Sequence, residues 1–466
     1  VRPELSKAKP WVALFAVCLG GVMVALDGSA VTIAAPRIAR SVHASLGDLL
    51  LIANVYLVVL AVGILPAGRL ADRVGRRATF ITGALGFGAC SLAISLSHTV
   101  TALIVFRAGQ GLFGALLQPA ALALLTTAFP RRRLGLVLGV WGGVNALAIG
   151  LGPVVAGFVV QGLGWPAVFL LNVPIALLAT LLILAVMGES RAGRSPRPLR
   201  QVLGPRSVRS AAILVAMSSF AVFGVLFLLT LFLQNVRGLT PSTAGAWLLA
   251  PTLTVVVGAL VGGVLSERVG PARPVVLGML AVAGGLVVLA QVPVHASFWQ
   301  VGLPAMLIGL GTGVWVIAAM QTIIIESGEE LAGTASAVQQ SASQIGGVLG
   351  LLVLGAVVSI GVSARLATGL RGAGASKAVV AAVQHARGLV LEGRAPVLRR
   401  ATPHVAHLVS SVSHGAFTGG MHTAFLLLAA LIILAAPLGL LLRGRRVAAE
   451  HPRTATEPVA QLLGAR

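Results

Sequence analysis

Two ionisable residues sit where a membrane-compatible sequence should hold none. Asp27 is the only acid well inside an apolar run of this 466-residue chain, and Arg107 is the only base so placed. A charged side chain at such depth is costly, which makes both candidates for function. The run that carries Asp27 ends near residue 33, and the run that carries Arg107 begins near residue 101. At about 1.5 Å per residue, each lies roughly 9 Å below the same face of a bilayer. Helices that are neighbours would bring the two into contact. Burial disfavours the ionised carboxylate, a nearby guanidinium favours it, and the arginine stays charged throughout. A carboxylate that alternates between pairing with arginine and holding a proton, as access switches sides, is a proton carrier. The other reading of the same pair is a static buried ion pair that fixes helix packing.

Ser29 and Thr32 lie within about a turn of Asp27. They are placed either to hydrogen-bond the carboxylate or line a polar cavity, or to bond back to their own helix carbonyls. Pro36 is expected to end this first run.

The elements that must position these residues follow from composition. Hydrophobic residues make up 57% of the chain and charged residues 10%, against roughly a quarter charged in a soluble domain. A soluble enzyme on an anchor and a disordered chain are both excluded. About twelve apolar runs reach spanning length, near 11–33, 50–68, 78–97, 101–121, 135–160, 166–188, 210–233, 243–265, 274–293, 299–325, 338–360 and 421–443. They are too long and too uniformly apolar for the alternating strands of a membrane barrel, so the expected fold is an all-α membrane protein. The first run is too long, and followed by too many others, to be a cleaved signal.

The net charge of +22 does not point to nucleic acid, because the basic residues sit between apolar runs rather than on one soluble face. They follow topology. With the N-terminus inside, inner segments collect Arg69, Arg73, Arg76 and Arg77, then Arg131, Arg132 and Arg133, the basic 189–209 linker, and Arg268 and Arg273. Short outer loops hold Arg37, Arg40 and Arg237. Both termini are therefore expected in the cytoplasm of a bacterial inner membrane. Of 34 basic residues only Lys7, Lys9 and Lys377 are lysines, which suits GC-rich bacterial coding, as would Val1 read as an alternative start codon. Cys18 and Cys90 lie in apolar runs and form no metal or disulfide framework.

A repeat is legible. Gly68-Arg-Leu-Ala-Asp-Arg-Val-Gly75 recurs as Gly263-Val-Leu-Ser-Glu-Arg-Val-Gly270, and the same offset lays the first three runs on the seventh, eighth and ninth. The expected organisation is an N-terminal six-helix half at 1–188, a linker at 189–209, a C-terminal half at 210–443 with an outer loop at 361–420, and a tail at 444–466. Parallel repeats with a site between them form a transporter architecture.

These residues resemble the major facilitator superfamily in its drug/proton antiporter branch, over nearly all the chain. Gly68-Arg-Leu-Ala-Asp72-Arg73-Val-Gly75-Arg76-Arg77 is similar to the superfamily's signature between spans two and three. The resemblance implies a conformational latch there, with Gly68 allowing close approach and Asp72 meeting a helix N-terminus across the interface between halves. Arg107-Ala-Gly-Gln110-Gly111 resembles the span-four motif, whose arginine serves proton coupling in the family. Gly150-Leu-Gly152-Pro153-Val-Val-Ala156-Gly157 resembles the antiporter motif of span five, with Ala156 in place of one glycine. Leu26-Asp27-Gly-Ser29-Ala-Val-Thr32-Ile-Ala-Ala-Pro36 and Trp165-Pro-Ala-Val-Phe169-Leu-Leu-Asn172-Val-Pro174 resemble stretches of a lineage that usually has fourteen spans. No apolar pair lies between 189 and 209, so this chain looks like a twelve-span relative.

The resemblance implies that spans one, four, seven and ten line a cavity. Its candidate lining is Gln110 and Gln118, Phe220, Phe223 and Phe227, and Trp315 and Gln321, with Tyr56 on span two a weaker candidate. Aromatic faces with a few polar groups suit a small amphiphilic ligand. No Walker loop is present, so neither ATP nor any other cofactor is expected to drive transport. The implied function is proton-coupled efflux of drug-like compounds by a monomer that binds protons and a small molecule. Export of one endogenous metabolite or lipid is the first alternative, and a non-transporting receptor the second. No enzyme is expected, because no nucleophile–base pair, carboxylate pair or metal set lies in the spans.

Overall fold

The computed structural model describes residues 9–189, 199–328, 331–398 and 401–442. Among them, twelve helices are long and apolar enough to cross a membrane. They are α1 (Lys9–Val42), α2 (Leu46–Val74), α3 (Arg76–Ser95), α4 (Val100–Ala128), α5 (Leu134–Leu163) and α6 (Trp165–Val186), then α7 (Arg206–Leu231), α8 (Pro241–Val269), α9 (Ala272–Leu289), α10 (Phe298–Ser327), α11 (Ala332–Gly372) and α12 (Pro403–Leu440). The all-α expectation is met.

Helix contacts repeat. α1 packs on α5, α2 and α3 on α4, and α3 on α6; the same pattern returns as α7 on α11, α8 and α9 on α10, and α9 on α12. Across the two sets, α5 packs on α8 and α2 on α11. Lipid tails are as apolar as leucine, so close approach of small residues, not water exclusion, holds such a seam. On α5, Gly139 and Gly150 leave room for the Ala259 carbonyl and the Thr252 methyl of α8, where an added Cβ would stand 2.7 Å from each.

Helix starts differ between the two ends. At the end away from Arg69–Arg77, local side chains cap α2 (Ser45), α4 (Thr99), α8 (Thr240) and α12 (Thr402). At the basic end, α3, α5 and α11 have no such side-chain cap of their own. Acids from distant segments supply it. Glu189 accepts from the N–H groups of Arg77 and Ala78, Glu267 from Leu136, and Asp72 from Gly333 and Thr334. Each carboxylate meets the positive end of a helix whose first N–H groups would otherwise be orphaned. Gly75, at φ 130°, leaves the space that the Glu189 carboxylate fills.

Several boundaries differ from the sequence expectation. α1 does not end at Pro36 but runs on to Val42; a proline inside a membrane helix removes one hydrogen bond without stopping it. α11 continues to Gly372 and α12 starts at Pro403, so the described part of the stretch read as an outer loop at 361–420 is mostly helix, and Val362, Leu366, Leu370 and Val409 join the apolar core of the second set. Short helices at Lys377–His385 and Arg387–Leu391 bridge the two, with Val380, Val383 and Val390 buried beneath them. α7 begins at Arg206, inside the stretch read as linker, after a short helix at Leu199–Val202. The 190–198 part of that linker and the whole 444–466 tail lie outside the described residues.

Candidate functional site

α1 and α4 are neighbours, and Arg107 forms an ion pair with Asp27 Oδ2. Both side chains are about 1% exposed. Pro174 lies at the start of the second segment of α6; it lacks an N–H and crowds the carbonyl of Leu170. The helix is broken at Leu171 there, and the break carries Asn172 to the pair. Asp27 Oδ1 accepts from Gln110 Nε2 at 3.1 Å and from Asn172 Nδ2 at 3.4 Å. Both amides also donate to Ser91 Oγ on α3, at 2.6 and 3.2 Å.

Arg107 is held on other sides too. Its Nε donates to the Ile52 carbonyl at 3.3 Å and its Nη1 to Gln110 Oε1 at 2.8 Å. The guanidinium carbon stands 4.2 Å from the centre of the Tyr56 ring, and Tyr56 packs edge-on against Phe87. Tyr56, read from sequence as a weak cavity candidate, is the buried aromatic platform of the arginine. Five residues from four other helices thus close around the one carboxylate of α1. Asp27, Arg107 and Gln110 were legible in the sequence. Ser91 and Asn172 were not among the candidate site residues: a serine in an apolar run has no distinguishing pattern, and Asn172 stood in the Trp165–Pro174 stretch without a role of its own.

Of the residues in the Gly68–Arg77 motif, Gly68 and Asp72 meet the start of α11 and Arg76 pairs with Asp72. Asp72 Oδ1 accepts from Gly333 N at 2.9 Å, and Oδ2 from Thr334 N and Oγ1, both at 2.8 Å. Arg76 stands 3.5 Å from Oδ1. A Cβ on Gly68 would sit 2.6 Å from the Gly333 carbonyl, so only glycine permits this approach of α2 to α11. Arg77 donates to the Leu184 carbonyl, and Arg73 is exposed. Glu267, which matches Asp72 in the repeat, reaches Leu136 N on α5 at 3.2 Å.

The other candidates are scattered. Gln118 accepts from Gln340 Nε2 on α11 at 2.6 Å, a polar contact between the two helix sets. Phe223 rests on Gly347 and the Phe220 backbone on Gly350, both of α11; Phe223 and Phe227 are partly exposed on α7. Trp315 is 0% exposed and packs on Gly278 of α9, within the apolar core of the second set, and does not open to a cavity. Gln321 is buried near Gly135 at the basic end. Gly152 is buried, while Gly157 has open space where a Cβ would stand. The side chains of Ser29, Thr32 and Pro153 lie outside the described residues. Among the described residues, no group of three or more His, Cys, Asp or Glu could hold a metal.

Two repeated sets of six helices, clasped across their seam and built around a buried charged network, define a multi-pass membrane transporter. The chain belongs to the Major Facilitator Superfamily, whose family profile matches residues 17–351; its members are transporters, not enzymes. A tetracenomycin C resistance and export protein of Streptomyces glaucescens is 34% identical over 94% of this chain and 92% of its own length. The puromycin resistance protein pur8 of Streptomyces alboniger is 30% identical over 77% of this chain and 83% of its own. Among solved structures, the human organic anion transporter MFSD10 superposes with a TM-score of 0.66, covering 94% of this chain and 100% of that one at 14% identity, a likeness of fold.

Proposed function

We propose that this protein is a proton-coupled efflux antiporter of the bacterial plasma membrane that exports small hydrophobic or amphiphilic compounds of the antibiotic class. The observation that carries the reading is the Asp27–Arg107 pair, sealed from solvent and supplied with neutral hydrogen-bond partners on every described side. The names of the relatives, which speak of resistance and export, support the direction of transport. The basic residues support a cytoplasmic placement of the end that carries Asp72 and of both termini. The clasps at Asp72 and Glu267 then close the cytoplasmic side while the other side admits protons and releases substrate. Protonation of Asp27 frees Arg107 and loosens the N-terminal set; deprotonation restores the pair. The working unit is a monomer.

Everted vesicles loaded with a dye substrate test the reading. Proton-dependent dye movement is expected in the wild type and is abolished in a folded Asp27→Asn variant. Coupling that survives this substitution removes Asp27 from the mechanism. The name of the 34% identical relative, which refers to a single compound, favours a second reading, export of one metabolite rather than many drugs. Resistance of a deletion strain to a broad panel of toxic compounds separates the two.

A further inference from the structure

Ser91 and Asn172 belong to no function derived above, and the hydrogen bonds around them leave little freedom. The Ser91 hydroxyl lies 2.8 Å from the Phe87 carbonyl, to which it gives its one hydrogen. Its oxygen can then only accept, and it does so from both Gln110 Nε2 and Asn172 Nδ2. Arg107 has donors alone, so the oxygen of Gln110 must turn to it and the amino group must turn the other way, towards Ser91 and Asp27. The same logic turns the Asn172 amino group inward. Both amides therefore present N–H groups to Asp27 Oδ1, and their orientation is set by Ser91 and Arg107.

We infer that Ser91 and Asn172 are positioning residues that keep Asp27 Oδ1 an acceptor only, so that a proton is accepted on Oδ2 alone and only as Arg107 leaves that oxygen. This deepens the proposed function and rests on Asp27 carrying the proton. A proton on Oδ1 would point an O–H at two N–H donors among side chains sealed from solvent, and such an unsatisfied buried arrangement is disfavoured. At Oδ2 the exchange balances. A hydronium ion gives its proton to Oδ2, the Arg107 Nη1–H···Oδ2 bond breaks, and water is left behind. The guanidinium keeps its charge and retains the Ile52 carbonyl, Gln110 Oε1 and the Tyr56 face. Proton and arginine thus become exclusive occupants of one oxygen, which a pair that could protonate on its free side would not enforce.

The described charged and titratable groups that face Asp27 are Arg107 from α4 and Tyr56 from α2. α3 and α6 bring the neutral Ser91 and Asn172. α5 brings Asn145, which lies against Gly21 and bonds its own helix at the Trp141 carbonyl.

The test is the pH profile of proton-driven dye transport in Ser91→Ala, Ser91→Thr and Asn172→Leu, with Asp27→Asn alongside. Ser91→Ala frees the Asn172 amide, which Arg107 does not hold, to turn its carbonyl towards a protonated Oδ1, and Asn172→Leu removes one donor from it. Each is expected to move the midpoint to higher pH by about one unit, a tenfold change in proton affinity, as loss of one hydrogen bond to a charged acceptor gives. Ser91→Thr keeps an acceptor with the same back-bond and holds the wild-type midpoint. A folded Ser91→Ala protein with an unmoved midpoint overturns the inference while the Asp27 reading stands. Coupling that persists in Asp27→Asn overturns the reading itself. If a variant folds but transports too slowly to measure, the infrared carboxyl band that Asp27→Asn removes, titrated in nanodiscs, reports the same shift or its absence.

Discussion

The two clasps at the basic end are related by the repeat yet unequal, and their inequality can be measured. Asp72 is 7% exposed and receives three hydrogen bonds besides Arg76. In Asp72→Asn the single remaining oxygen serves Thr334, with its two donors, and the new amino group faces the Gly333 N–H. One bond to a charged acceptor is lost, at ~1.5–3 kcal/mol, along with an attraction to the α11 N-terminus of ~0.3–1 kcal/mol. The closed arrangement weakens by about 3 kcal/mol, roughly a 150-fold shift towards opening. Glu267 is solvent-exposed and bonds Leu136 N at a longer 3.2 Å; water screens such a group, and Glu267→Gln should cost at most ~1 kcal/mol. Spin labels at exposed Arg69 of α2 and Arg268 of α8, in a background with Cys18 and Cys90 replaced by alanine, read the separation of the two sets by pulsed electron resonance. Asp72→Asn should populate a longer distance, and Glu267→Gln should leave the wild-type distribution nearly intact. An unchanged distribution in Asp72→Asn, or an equal change in both, would refute the assignment of the main clasp to Asp72.

Two further outcomes are expected. Gly263→Ala places a methyl against the Gly135 carbonyl and should lower stability by ~1–3 kcal/mol through overpacking, seen as a lower Tm in detergent, while Gly157→Ala, with open space at its Cβ position, should leave Tm unchanged. Trp315→Ala should cost ~3–5 kcal/mol with substrate preference intact, whereas Phe227→Ala should alter preference in a transport panel with little change in Tm; the reverse pattern would make Phe227 the packing residue.

Much of the site could be read from the order of residues. Asp27 and Arg107 stood out because a charge within an apolar run is conspicuous in one dimension, and counting residues from the run ends placed them at one depth. Gly68 and Asp72 stood out through their repeat at Gly263 and Glu267. Ser91, Asn172 and Glu189 did not. A serine bonded to its own helix and a serine that orients two distant amides have the same neighbours in sequence. Trp315 shows the converse: an aromatic residue on a helix expected to line a cavity faces Gly278 and the core, because the rotation of α10 is set by contacts with α8 and α9.

Spanning length, helical character, the doubled plan and the presence of one acid and one base deep within the apolar runs were fixed by transfer energies and spacing, which belong to each residue and its near neighbours. Which donors meet each oxygen of Asp27, which acid caps which helix, and where the extended α11 and α12 begin and end were decided only when segments far apart in the chain packed together. Hydrogen bonds require their atoms within about 3 Å and in line, a condition that periodicity along the chain does not encode and that only the assembled bundle satisfies.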